Sequence, residues 1–317
     1  MLYLKIIYCF FLITIFTPKA GYSQKTNTDL INAKKLIAEN KYEEAISLYQ
    51  KIYKKDKSSK IYKPYLECLK KKFEYEKAIK LVKAHYNRHG KNPSLLIDLG
   101  EIYILKGEEK SGEKEFQKSI NEIKLNPRFS GTVASNFYSK KQYEFSLKAY
   151  LIAKENFPNQ NYSFQISNIY SNLGQVENMY LELIELLYRS PGYMQNCKSR
   201  IGRTINDNPE NENNIILKKS IIKKLQKKEN ENLNDLLIWV YLQEKNFEKA
   251  IQNTISIDKR IDYQETKIFE LGEIAISNKE FEIAKKAFNY LINKTKNGIY
   301  YEESILQLNN IKNLQFY

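Results

Sequence analysis

Lys41-Tyr42-Glu43-Glu44-Ala45-Ile46 returns along the chain with small changes: as Glu74-Tyr75-Glu76-Lys77-Ala78-Ile79, as Gln142-Tyr143-Glu144-Phe145-Ser146-Leu147, as Asn246-Phe247-Glu248-Lys249-Ala250-Ile251 and as Glu280-Phe281-Glu282-Ile283-Ala284-Lys285. With the small residue of each copy as a marker, and Gly112 and Met179 added from weaker copies, the series runs 45, 78, 112, 146, 179, 250 and 284. Its steps are 33, 34, 34, 33, 71 and 34 residues, a steady period with one interval of about two periods. Self-similarity at such a spacing marks stacked supersecondary units rather than a single globular core.

Working outward from the marker, a second small residue stands twelve places earlier at Ala33, Gly100, Ala134, Ser167 and Gly272. Three places after that position comes an aromatic at Tyr103, Phe137, Tyr170 and Tyr241, while Leu36, Leu69 and Ala275 depart from the pattern. A large side chain follows the marker by four places at Tyr49, Val82, Phe116, Tyr150, Leu183 and Phe288. Two antiparallel helices that cross closely need this distribution. Small residues at the crossing let the backbones approach, and aromatics and leucines from both helices fill the space around it. Turns as short as Glu39-Asn40-Lys41 and Ser277-Asn278-Lys279 force the two helices to be antiparallel neighbours. Pro158 and Pro191, twelve places after their markers, stop the second helix by removing an N–H and restricting the preceding residue.

A helix-turn-helix unit of this period resembles the tetratricopeptide repeat (TPR) family. With the leader described below, the chain is similar to signal-peptide-bearing TPR proteins of the Bacteroidota. The resemblance implies an all-α fold, a right-handed α-α superhelical solenoid, with repeats 1–5 over residues 26–191 and repeats 6–7 over 233–299. It also implies a non-catalytic scaffold or adaptor that binds a partner protein or peptide through its concave surface.

The 71-residue step leaves one divergent unit at 192–232. Residues 193–205 read as its first helix, 206–213 as a turn around Pro209, and 214–228 as its second helix. That helix carries Leu217, Ile221, Ile222 and Leu225 on one face and Lys218, Lys219, Lys223, Lys224, Lys227 and Lys228 largely on the other. It supplies an alternative function, a basic module binding anionic polymer or lipid, and the interruption is a candidate seam between the five repeats before it and the two after. Residues 300–317 read as a terminal helix, either the cap a solenoid needs or the start of a further unit, with Ile305, Leu308 and Ile311 on one face.

Composition agrees with helix throughout. Only 11 Gly and 7 Pro occur in 317 residues, too few to punctuate an all-β chain. The net charge of +14 comes from lysines scattered along a chain also rich in Ile, Asn and Tyr, so nucleic acid is not an expected partner. Lys5, the apolar run 6–16 and the small residues Gly21 and Ser23 form a signal peptide over 1–23, with Gln24 as the mature N-terminus. Export to the periplasm, envelope or exterior is the expectation, with no membrane-spanning segment after cleavage. Cys68 and Cys197 lie about four repeats apart and are expected as free thiols.

No GxSxG, GxGxxG, Walker or paired-cysteine motif occurs, so neither an enzyme nor a cofactor is expected. His85 and His89, spaced i, i+4, lack a third metal ligand and read as cationic or polar residues closing a helix. The family lines its groove with the first helix of each repeat. Carrying those positions to repeats 4 and 5 gives Ser135, Tyr138, Phe164, Asn168, Ser171 and Asn172 as a candidate peptide groove. The family's lysine and asparagine clamp for C-terminal carboxylates is not reproduced there.

Overall fold

The computed structural model describes residues 20–261 and 264–315, with side chains from residue 27 onward. The signal peptide expected over 1–23 therefore lies outside the described residues for 1–19 and without described side chains for 20–23, and Phe316-Tyr317 are outside them as well. The described residues form 17 α-helices and no strand. Hairpins of α1 (Ala20–Ala38) with α2 (Tyr42–Lys55), α3 (Ser59–Lys71) with α4 (Tyr75–Arg88), α5 (Ser94–Leu105) with α6 (Glu109–Leu125), and α7 (Ser130–Ser139) with α8 (Tyr143–Asn156) come first. They are followed by α9 (Ser163–Asn172) with α10 (Val176–Arg189), α11 (Met194–Ile201) with α12 (Glu212–Leu225), α13 (Glu231–Gln243) with α14 (Phe247–Ile261), and α15 (Glu265–Ser277) with α16 (Phe281–Lys294). A last helix, α17 (Tyr301–Gln315), follows.

All seven marked hairpins turn by one mechanism. The residue five places before the marker has positive φ in each: Asn40, Phe73, Gly107, Lys141, Gly174, Lys245 and Lys279, from 54° to 88°. Around it the first helix ends in a pair of nested bonds. In the first hairpin Lys41 N donates to Leu36 O and Asn40 N to Ile37 O, and in the last Glu280 N donates to Ala275 O and Lys279 N to Ile276 O. This left-handed cap satisfies the final carbonyls and reverses the chain within about three residues. The seven units share one turn geometry although only two of the seven turn residues are glycine.

The crossings follow the small residues. A Cβ on Gly100 would lie 2.8 Å from the carbonyl oxygen of Gly112, and one on Gly112 would lie 2.8 Å from that of Gly100, so α5 and α6 touch backbone to backbone. In the α7–α8 hairpin the marker Ser146 donates its hydroxyl to Ala134 O at 2.8 Å. Phe116, Phe137 and Phe145 close around these crossings with ring centroids 5.3–5.4 Å apart.

The chain is all-α and builds TPR-like solenoid packing in two compact units, residues 1–160 and 161–317. The division falls just after Pro158 and not within 192–232. The divergent unit is continuous with the second unit because Cys197, Ile201, Leu217 and Ile221 are fully buried in the core that runs from Met179 to Ile311. Its first helix is shorter than the sequence pattern predicts. It ends at Ile201, and the loop that follows is tied down by Asn214, whose Nδ2 donates to Asn206 O at 2.8 Å and whose Oδ1 accepts from Asn206 N at 3.2 Å. The second helix starts two residues early because Asn211 caps it by accepting from Asn213 N. At the far end, α17 packs on α16, burying Ile311 and half-burying Leu308, while Tyr300 stacks on Phe269 at 4.6 Å.

Candidate functional site

Within the first unit, the first helices of three consecutive repeats, α3, α5 and α7, stand side by side and enclose a groove of about 810 Å³. Leu66 and Leu95 give it an apolar base, and Asn92, Thr132, Ser135, Asn136 and Ser139 supply amides and hydroxyls. The helices are cross-linked by side chains of which Tyr62, Asp98 and Lys140 themselves line it. Tyr62 Oη donates to Asp98 Oδ2 at 2.9 Å, joining α3 to α5. Lys140, just past α7, reaches Glu101 at 2.6 Å and Asp98 at 3.4 Å, and Lys70 on α3 reaches the same Glu101 at 2.8 Å. Asn136 Nδ2 donates to the Ser94 carbonyl at 3.2 Å.

Burial, the largest influence on Asp98, raises its pKa above the ordinary carboxylate range despite the opposing pull of Lys140 and the Tyr62 hydroxyl. Burial also works upward on Glu101, but the bonds from Lys140 and Lys70 together hold it below its usual value. Four acidic and basic side chains, Asp98, Glu101, Lys70 and Lys140, are thus consumed in fixing the spacing of α3, α5 and α7. The rest of the groove lining is mainly amide, hydroxyl and aliphatic, with the exposed Lys63 and Glu67, one cation and one anion, among it.

Of the residues expected from the sequence, Ser135 lines this groove. Tyr138, on the same helix, packs edge-on against Tyr143 at 5.6 Å and is half-exposed. The other four belong to the second unit. Phe164 and Asn168 hold Arg200 of α11: the guanidinium lies 4.6 Å from the Phe164 ring centre and hydrogen-bonds to Asn168 Oδ1. Ser171 and Asn172 are exposed, with Asn172 Nδ2 donating to Asn168 O at 2.7 Å. Sequence reasoning missed Tyr62, Asp98, Glu101 and Lys140. The signal for part of this site was present, because the positions fifteen, eleven and seven places before the marker, counted into repeats 2 to 4, include Lys63, Glu67, Gly131 and Ser139 of the same groove.

The six lysines of the divergent helix do not form one face. Lys218 turns inward to Glu244 at 2.6 Å, and the Glu244 side chain is fully buried. Lys224 pairs with Glu185 at 2.5 Å and lies over the Tyr188 ring at 4.4 Å. Lys219 and Lys223 are exposed on the helix, and Lys227 and Lys228 are exposed beyond it, because it ends at Leu225 and not at the expected residue 228.

His85 is a correction. It is buried and not a cationic helix end: Tyr62 stacks on it at 4.0 Å, Tyr53 shares a 2.8 Å hydrogen bond with its Nδ1, and burial, helped by His89, lowers its pKa to about 4. His89 donates from Nε2 to the Lys57 carbonyl at 2.9 Å. Cys68 and Cys197 are buried free thiols. Among the described residues no group of three or more His, Cys, Asp or Glu is placed to hold a metal ion, and no helix is long and apolar enough to cross a membrane.

No protein-family model matches the chain, and neither does any curated protein. Among solved structures it is similar to the C-terminal part of a TPR repeat-containing protein from Cytophaga hutchinsonii, with 14% identity over 86% of this chain and 98% of that one and a TM-score of 0.32. It is similar also to the Cut9–Hcn1 hetero-tetramer of APC/C, with 14% identity over 92% and 57% of the two chains and a TM-score of 0.30. Yeast Tom70 matches at 10% identity over 92% and 66%, with a TM-score of 0.28. The assignment to a TPR-like fold rests on the seven hairpins themselves, with their common left-handed turn and their small-residue crossings.

Proposed function

We propose that this chain is an exported, non-catalytic scaffold that binds a segment of a partner protein across the first helices of repeats 2 to 4. The observation that carries this reading is the groove to which α3, α5 and α7 all contribute. Packed helices lie roughly 8–10 Å apart, so three of them span about 20 Å, the length of about six extended residues. Amides and hydroxyls above an aliphatic base suit such a segment, because they exchange hydrogen bonds with main-chain groups while the leucines receive side chains. The ion pairs between these helices fix their spacing in advance, which lowers the ordering cost of binding.

Thr132 and Ser135 are on the lining and outside the ion-pair network, which makes Thr132→Arg with Ser135→Arg the direct test. Full-length tagged protein used as bait on envelope extracts is expected to retrieve a defined partner that the double variant loses while keeping its helical content. Retrieval of the same proteins by both forms overturns the groove as the binding surface. The signal peptide is tested separately: the secreted or periplasmic fraction should contain a chain beginning at Gln24, and a cytosolic chain beginning at Met1 refutes export.

A further inference from the structure

A different groove lies in the second unit, between the second helices of the divergent repeat and of repeat 6. Its upper part, about 660 Å³, runs between Ile215 and Ile222 of α12 and Lys249 of α14, with Tyr241 of α13 behind it. A further 340 Å³ continues past the shared Ile222 and Gln226 to Leu225 on one side and Arg260 on the other. Along α12 the lining reaches from Ile215 to Leu225, about 15 Å at ~1.5 Å per helical residue, and continues onto Gln226 and Glu229 just past the helix end. Ile215 and Ile222 are 44% and 38% exposed, seven residues apart, with their apolar edges turned toward the groove and not into the core. Lys219, Lys223 and Lys249 stand on its rims, and none of the three has an ion-pair partner among the described residues. The neighbouring Lys218 and Arg260 differ, being paired with Glu244 and Glu229.

We propose that this groove is a docking site for an acidic amphipathic helix, about three turns long, from a partner protein. Three features select that occupant. The groove is bounded by two helices, α12 and α14, which is the surface that receives a third helix by ridges and grooves. Its apolar contacts recur at the seven-residue spacing of a helical seam. Three unpaired cations flank the seam, so glutamates beside the apolar stripe of the incoming helix find partners, and a basic helix is repelled. This site shares no residue with the groove on α3, α5 and α7, and either can fail without the other.

The test uses the full-length chain and two fluorescent 18-residue synthetic helices. Both carry leucine at i, i+4, i+7 and i+11, one with glutamate and the other with lysine at the flanking positions. Fluorescence anisotropy is expected to show binding of the glutamate helix, weakened about tenfold or more by K219E/K223E/K249E. The same triple variant is expected to gain affinity for the lysine helix, a reversal that loss of folding cannot produce. Ile222→Gln should weaken binding of the glutamate helix without creating affinity for the lysine helix. No binding of the glutamate helix, or binding that the charge reversal leaves unchanged, overturns the proposal. So does binding of the chain to phosphatidylglycerol vesicles through these three lysines when the glutamate helix does not bind, because the face is then a lipid contact.

Discussion

Gly100→Ala sets two effects of opposite sign against each other. In an isolated helix the change is favourable by about 1 kcal/mol, because alanine loses less backbone freedom than glycine. At this crossing the added Cβ would sit 2.5 and 2.6 Å from two ring carbons of Phe116 and 2.8 Å from the Gly112 carbonyl oxygen, inside the 3.0 Å below which something must shift. The ring cannot swing away, because Phe116 is buried and held edge-on by Phe137 and Phe145 at 5.3 and 5.4 Å. The carbonyl belongs to α6 and moves only with that helix. Helices α5 and α6 must therefore separate, and overpacking of this kind costs about 1–3 kcal/mol, with further loss of dispersion contacts along the loosened seam. The clash wins, and the expected net destabilisation is about 2 kcal/mol. For a folded unit of roughly 140 residues that corresponds to a fall in melting temperature of about 4–8 °C, followed by circular dichroism at 222 nm. Adding Phe116→Leu should recover only part of the loss, since the backbone contact remains. An unchanged or raised melting temperature for Gly100→Ala refutes the backbone-to-backbone crossing, and with it the reason a small residue recurs there.

Lys141 is exposed and has φ of 59°, so Lys141→Gly should raise the urea midpoint by the equivalent of about 1 kcal/mol; a lowered midpoint contradicts the shared turn. His85 has a folded pKa of about 4 against an ordinary 6.5, so the folded state favours its neutral form. Stability from this group is complete above pH 6.5 and is lost as pH falls toward 4. His85→Phe keeps the ring against Tyr62 and Tyr53 and should flatten that part of the pH–stability curve. Burial pushes both thiols up to about 11, so iodoacetamide at pH 8 should label neither Cys68 nor Cys197 until denaturant is added. Lys218→Met leaves the fully buried Glu244 carboxylate without its ion-pair partner and should cost about 3 kcal/mol. Most of that should return in Lys218→Met with Glu244→Met, and equal melting of the two variants refutes the internal pair.

How much of this could be read from the sequence depended on whether a property repeats. The crossings were legible because closeness of two backbones excludes large side chains wherever it occurs, so Gly100 and Gly272 fall in phase with Ala33 and Ala134, and Gly112 with Ala45 and Ala78. The turns were legible in length but not in conformation. A left-handed residue is announced only when it is glycine or asparagine, and here Phe73, Lys141, Lys245 and Lys279 occupy it as well, held there by the nested bonds of the helix end. The short α11 was illegible for a related reason. Thr204 and Ile205 continue the helical apolar pattern, but Asn214 offers the backbone at Asn206 better-placed hydrogen bonds from eight residues further on.

The functional surfaces depend on pairings between repeats, and a periodic reading does not contain them. Asp98, Glu101, Lys70 and Lys140 look like ordinary surface charges one at a time. They become a network only when α3, α5 and α7 are laid side by side. The same holds in reverse for the divergent helix, where six lysines read as one basic face. The stack removes Lys218 and Lys224 to Glu244 and Glu185, which lie 26 residues after the first and 39 before the second. What remains is a narrower pattern in which Lys219 and Lys223 flank Ile215 and Ile222, with Lys249 opposite. A diffuse basic face would attract any polyanion. Three unpaired cations around an apolar seam demand charge and apolar surface together, and an acidic amphipathic helix presents both at the matching spacing.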